Sequence, residues 1–126
     1  MATDFEANLR TGLAALSGTA VYPIQLPQEA TLPACTYFLV STVRNQTHQG
    51  DDKLPTRRVQ VNVTSLNYGA TKDVANLIID GIKNGTPTLG TLYVSHARVD
   101  NERDDFDPLT GRFTRSIDLL LSYEEV

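Results

Sequence analysis

The chain has 126 residues, 40% of them hydrophobic: enough apolar content for one ordinary core and too little length for two domains, so residues 1–126 are expected to form a single domain. Fifteen acidic residues against 11 basic give a formal net charge of −4, which excludes a protein whose main work is gripping nucleic-acid phosphates. One cysteine, Cys35, excludes an intrachain disulfide and a cysteine-rich zinc site, and no apolar run approaches the ~20 residues of a membrane helix.

The first residues lack the basic-then-apolar pattern of a secretory signal. The expectation is a soluble protein made in a reducing cytoplasm, with no membrane partner. A first helix is predicted from about Asp4 to Leu16, because Phe5, Leu9, Leu13 and Leu16 recur at helical spacing while Glu6 and Arg10 lie opposite. Thr3 and Glu6 have the form of a capping box, and Gly18 is placed to end the helix. A short strand over Ala20–Tyr22 precedes a loop with three prolines between Pro23 and Pro33.

Ala34–Val43 reads as a strand, with Cys35, Tyr37, Leu39 and Val43 on one face and Thr36, Phe38, Val40 and Thr42 on the other. Both faces are partly apolar, which suggests a central strand covered on both sides. Arg44–Pro55 reads as a long polar loop and therefore as a candidate contact element. Arg58–Leu66 is a half-buried strand, with Val59, Val61 and Val63 inward. A second helix over Tyr68–Lys83 takes Asn67 as N-cap and Val74, Leu77, Ile78 and Ile82 as its apolar face, and Asn84-Gly85 with Thr86-Pro87 stops it. Tyr93–Val99 and Phe113–Tyr123 are predicted as strands joined by an acidic loop. Phe113, Ile117, Leu119, Leu121 and Tyr123 share a face of the last strand. Together these elements predict an α+β fold: an antiparallel sheet of four to five strands with two amphipathic helices packed on one face.

No catalytic constellation emerges. His48 and His96 have no partners at ligand spacing. Cys35 lies among strand residues and reads as an inert core thiol. Asp100, Glu102 and Asp104 alternate as in a calcium loop, but Asp105 stands where such a loop needs glycine and Gly111 where it needs glutamate. Catalytic residues, metal and cofactors are all expected to be absent. Asn45-Gln-Thr47 and Asn62-Val-Thr64 match the glycosylation pattern, which is read as coincidence in a chain without a secretory signal.

The stretch Asn101-Glu-Arg-Asp-Asp-Phe-Asp-Pro-Leu-Thr-Gly-Arg-Phe-Thr-Arg-Ser-Ile-Asp resembles the C-terminal signature of small phage tail-completion proteins, the family that includes tail-to-head joining (tail terminator) proteins. The first amphipathic helix, Val21-Tyr22-Pro23 with Leu32-Pro33, and Arg58-Val-Gln-Val-Asn before a helix agree in the same order. The resemblance implies a non-enzymatic subunit of the virion tail or neck, assembled in the host cytoplasm. It would form a ring, a hexamer, at the head-proximal end of the tail tube. Its implied partners are further copies of itself, the tail tube protein and the head–tail connector or stopper, with genomic DNA passing through the lumen without specific binding.

Under this reading the candidate assembly interface comprises Arg44, His48, Asp51, Asp52 and Lys53 in the polar loop. It also takes in Glu102, Arg103, Asp104, Asp105 and Arg112 around the last turn, where Glu102 and Asp104 face Arg112 and Arg115 closely enough for cross-strand pairing. Asp51, Asp52, Asp104 and Asp105 are candidates for an acidic lumen that repels phosphates. Two alternatives remain: another neck or connector component on a similar scaffold, and a small-molecule binding module.

Overall fold

The computed structural model describes residues 5–27, 31–43, 46–47, 50–51, 56–83, 88–89 and 92–123. Helix α1 (Phe5–Ser17) leads into the short strand β1 (Val21–Pro23) and then β2 (Ala34–Val43). Two-residue strands β3 (Gln46–Thr47) and β4 (Gly50–Asp51) precede β5 (Thr56–Ser65) and helix α2 (Tyr68–Lys83). The chain continues with β6 (Thr88–Leu89), β7 (Leu92–Asp107) and β8 (Arg112–Tyr123). The main sheet runs β1-β2-β5-β8-β7, with the short β6 on the outer side of β7.

The fold is α+β, as the element order predicts, but the sheet is mixed. β1 lies parallel to β2, with Val21 opposite Cys35 and Pro23 opposite Tyr37. Every other pairing is antiparallel. A parallel neighbour needs a crossover of about a dozen residues, and the proline-bearing segment after β1 is long enough to carry the chain back to the same end. Pro23 sits where it can be tolerated, on an edge strand.

The helices cover one face. Leu9 and Leu13 of α1 pack with Val74, Ala75, Ile78, Ile79 and Ile82 of α2 over Cys35, Tyr37, Val59, Val61, Val63, Ile117, Leu119 and Leu121. Gly81 lets the helices approach, since a Cβ there would collide with a methyl of Leu16. On α2 the buried arc is Thr71, Val74, Ala75, Ile78, Ile79 and Ile82. Leu77, expected inward, is 53% exposed: at 100° per residue it falls outside the arc that the other six define.

Helix ends follow local chemistry. Gly18 takes φ of 70° and donates its amide to the Ala14 carbonyl at 2.9 Å, closing α1. Asn67 caps α2, its side-chain oxygen accepting from the Ala70 amide at 3.3 Å. Thr3, and the side chains of Phe5, Glu6 and Tyr123, lie outside what is described, as does the Asn84–Pro87 stop.

Three strand-level expectations are corrected. The polar loop carries a small hairpin, with Gln46 opposite Asp51 and Thr47 opposite Gly50. In β2 a bulge between Leu39 and Ser41 leaves Val40 unpaired and reverses the alternation beyond it, so Thr42 shares a face with Arg57. Along the second face of β2 burial falls off, with Thr36 buried, Phe38 half-buried and Val40 exposed. The supposed acidic loop is strand: β7 runs on to Asp107 and, past a bulge between Val99 and Asn101, pairs with β8 from Asn101 to Asp107.

The core assignment gives a direct contrast. Leu119→Ala should cost about 2–5 kcal/mol in urea unfolding, whereas Leu77→Ala should change stability by less than about 0.5 kcal/mol. Removing the cap in Asn67→Ala should cost about 1 kcal/mol.

Candidate functional site

The most developed surface feature is the β7–β8 hairpin. Residues paired across antiparallel strands share a face, and β8 alternates without a break from Phe113 to Leu121. β7 does not. A bulge between Val99 and Asn101 shifts its phase, so Ala97 and Val99 face the helices and, beyond the bulge, Glu102, Asp104 and Phe106 do so. That shift sets Asp104 opposite Arg115 and Phe106 opposite Phe113.

Arg115 grips Asp104 with two contacts, Nε to Oδ1 at 2.6 Å and Nη2 to Oδ2 at 3.0 Å. The hydroxyl of Tyr68, first residue of α2, donates to Asp104 Oδ2 at 3.1 Å and accepts from Arg115 Nη2 at 3.3 Å. Arg115 is 15% exposed and Asp104 42%. The guanidinium holds the Asp104 carboxyl below its ordinary value, with the Tyr68 hydroxyl adding to the effect, and the same hydrogen bond raises Arg115. Next to this node the Tyr68 ring meets Phe113 edge-on at 5.7 Å, and Phe106 lies 4.7 Å from Phe113. The ion pair and the Phe106–Phe113 contact therefore tie the two strands of the hairpin together, and Tyr68, through its hydroxyl and its ring, braces them against the start of α2.

The tip is a tight turn. Asp107 accepts the Leu109 amide through Oδ1 at 3.0 Å and the Gly111 amide through its carbonyl at 2.8 Å, with Gly111 at φ of 71°. Aspartate and glycine hold the places that the Asp-Pro-x-Thr-Gly pattern assigns them.

The face away from the helices is a polar ladder. Asn62 Oδ1 accepts from Ser116 Oγ at 2.7 Å and Gln60 Nε2 at 2.9 Å, and Arg103 Nη2 donates to Gln60 Oε1 at 3.1 Å. Thr64 and Thr114 meet at 3.3 Å, and Thr56 and Ser122 at 3.0 Å. Arg58 pairs with Asp100 at 2.6 Å and holds that carboxyl below its ordinary value, with Arg98 contributing through its charge.

The expected interface residues fall in different places. Arg103 and Asp105 lie on the open polar face, Asp104 and Glu102 on the helix side, and Arg112 opposite Asp107 at the turn. Asp104 and Asp105 thus point to opposite faces of the hairpin. The backbone of Asp51 is in β4, and Arg44, His48, Asp52 and Lys53 lie outside the described residues. Sequence reasoning passed over the exposed apolar residues at the tip end, Leu66, Tyr68, Phe106 and Leu109, and at the β1–β2 edge, Ile24 and Val40. Leu109 was detectable, since an apolar residue in a polar turn motif has no local reason to be there. Ile24 was not: it takes a positive φ of 65° in a tight turn in which Gln25 donates to the Pro23 carbonyl, a costly state for a β-branched residue.

Chemistry-bearing groups are sparse. Among the described residues no three His, Cys, Asp or Glu side chains are grouped to hold a metal, and no helix is long and apolar enough to cross a membrane. Cys35 is buried in the core, its thiol pushed up by burial, with Thr19 Oγ1 at 3.4 Å.

Fold and surface together define a small α+β protein whose sheet is helix-covered on one face and whose prominent feature is a braced hairpin rather than a reactive cleft. Residues 7–123 match the family described as Tail completion protein gp17, and the chain belongs to that family of phage tail structural proteins. A solved chain of the virion of a native gene transfer agent (GTA) particle has the same fold. Its TM-score is 0.63 at 17% identity, over 94% of this chain and 90% of that one. No curated protein matches the chain.

The Asp104 node has a defined pH signature. A carboxyl lowered in the folded state adds stability that is complete above its unfolded value and is lost as pH falls through the folded one. Asp104→Asn should lower stability at neutral pH by about 0.5–1 kcal/mol, a figure discounted for the exposure of the carboxylate. In urea unfolding the difference from the unmodified protein should shrink as pH falls below the ordinary aspartate value of 3.8.

Proposed function

We propose that this chain forms a closed ring, a hexamer, at the head-proximal end of a phage tail tube, where it stops tube growth and joins the tail to the head connector. Its membership of the tail-completion family across residues 7–123 carries the reading. The surface is compatible with it. A cyclic ring needs two different contact patches on each subunit, and among the described residues exposed large apolar side chains occur in more than one place: at the hairpin end, on α2 at Leu77 and at the β1–β2 edge.

The subunit acts by fit rather than by chemistry, as one domain assembled in the host cytoplasm. Its partners are further copies, the tail tube protein and the connector or stopper. Genomic DNA would pass through the lumen, and a net charge of −4 favours passage without adhesion. Asp51, Asp52, Asp104 and Asp105 remain the proposed acidic lining. Asp104 enters with its charge largely offset by Arg115.

Native mass spectrometry of the purified protein, combined with binding to isolated tail-tube ends, tests the proposal. A ring that caps tube ends is the expected result. A chain that neither oligomerises nor binds tube ends overturns it. Density in the virion confined to the connector side would instead identify another neck component.

A further inference from the structure

The hairpin tip and the far end of the same strand pair are complementary. At the tip, Leu109 is 94% exposed and is flanked by the exposed carboxylates of Asp105 and Asp107. At the other end a cavity of about 360 Å³ is lined by Thr56, Ala97, Arg98, Leu120 and Ser122. Among the described lining residues, Leu120 is the apolar side chain on the same sheet face as Thr56, Arg98 and Ser122. The cavity's charge comes from Arg98, whose side chain is 71% exposed and reaches Asp100 only at 3.5 Å, with Arg58 beside it on the Asp100 carboxylate.

Size and charge both match. The space left by one deleted leucine side chain is on the order of 150 Å³, so the cavity has room for Leu109 and part of its turn. An acidic turn approaching an arginine-bearing rim is electrostatically favourable. The contact cannot form within one chain: Arg112 and Leu120 are eight residues apart on β8, about 27 Å of rigid strand at roughly 3.4 Å per residue.

The geometry points to a second copy of this chain as the occupant, with the hairpin tip of one subunit seating Leu109 in the Thr56–Arg98–Leu120 cavity of the next. The contact joins two different patches, so repeating it about an axis gives a closed ring or an open filament. It rests on the ring reading above and names the surfaces that would make that ring.

Because Leu109 and Arg98 are exposed, substitutions there leave the core intact, which thermal melting would verify. In native mass spectrometry Leu109→Asp should shift the ring to monomer, with at least a tenfold loss of assembled species at equal concentration. Asp105→Arg and Arg98→Asp should each weaken assembly, and the two together should restore it. The buried Cys35 leaves a clean background for Leu109→Cys with Thr56→Cys, which on oxidation should give a ladder of linked subunits ending at the ring size. If the unmodified protein forms rings while Leu109→Asp assembles normally and the cysteine pair gives no ladder, this contact is wrong and the ring reading stands. If the unmodified protein forms no ring alone or on tube ends, both fall.

Discussion

β8 is the strand to which the rest of the sheet must conform. It is paired along almost its whole length on both sides, to β5 and to β7, and its side chains alternate without interruption. Every residue it sends toward the helices from Ile117 to Leu121 is fully buried. A one-residue slip would turn that row to solvent and bring Ser116 and Asp118 inward. Its neighbours absorb the mismatches: β7 bulges twice against it, and β2 bulges once against β5.

The bulge at Asp100 links this constraint to the surface. It leaves β7 in the core for Ala97 and Val99 and then brings Asp104 and Phe106 to the same side, where they meet Arg115, Phe113 and Tyr68. The hairpin beyond the helix layer is thus tied to the domain by its root. It also blunts a long edge strand, since a bulge and a row of charges discourage indiscriminate pairing with other chains. A protein that must meet defined partners in a particle needs both properties: rigidity at the contact and resistance to the wrong contact.

The two faces of the sheet divide the labour. The helix side holds the hydrophobic core, and the open side is a ladder of Asn, Gln, Ser and Thr with charges set largely in pairs. Such a face meets water without strain and has little unspent charge with which to bind DNA. This fits a phage tail structural protein.

The sequence by itself determined the order of the two helices and the long strands, the limits of α2, the caps at Asn67 and Gly18, the inward row of β5 and the Asp-Pro-x-Thr-Gly turn. Each rests on residues within a few positions of one another: a periodicity, a capping side chain, a glycine at positive φ. Arg115 on the otherwise apolar face of β8 was also visible as an exception awaiting a partner. Only the tertiary structure decided that β1 runs parallel to β2, that Leu77 faces out, and that Asp104 and Asp105 point opposite ways. Those outcomes depend on which strand lies alongside and where its register forces an extra residue. That information is held by the pairing of distant segments and by no local stretch of chain.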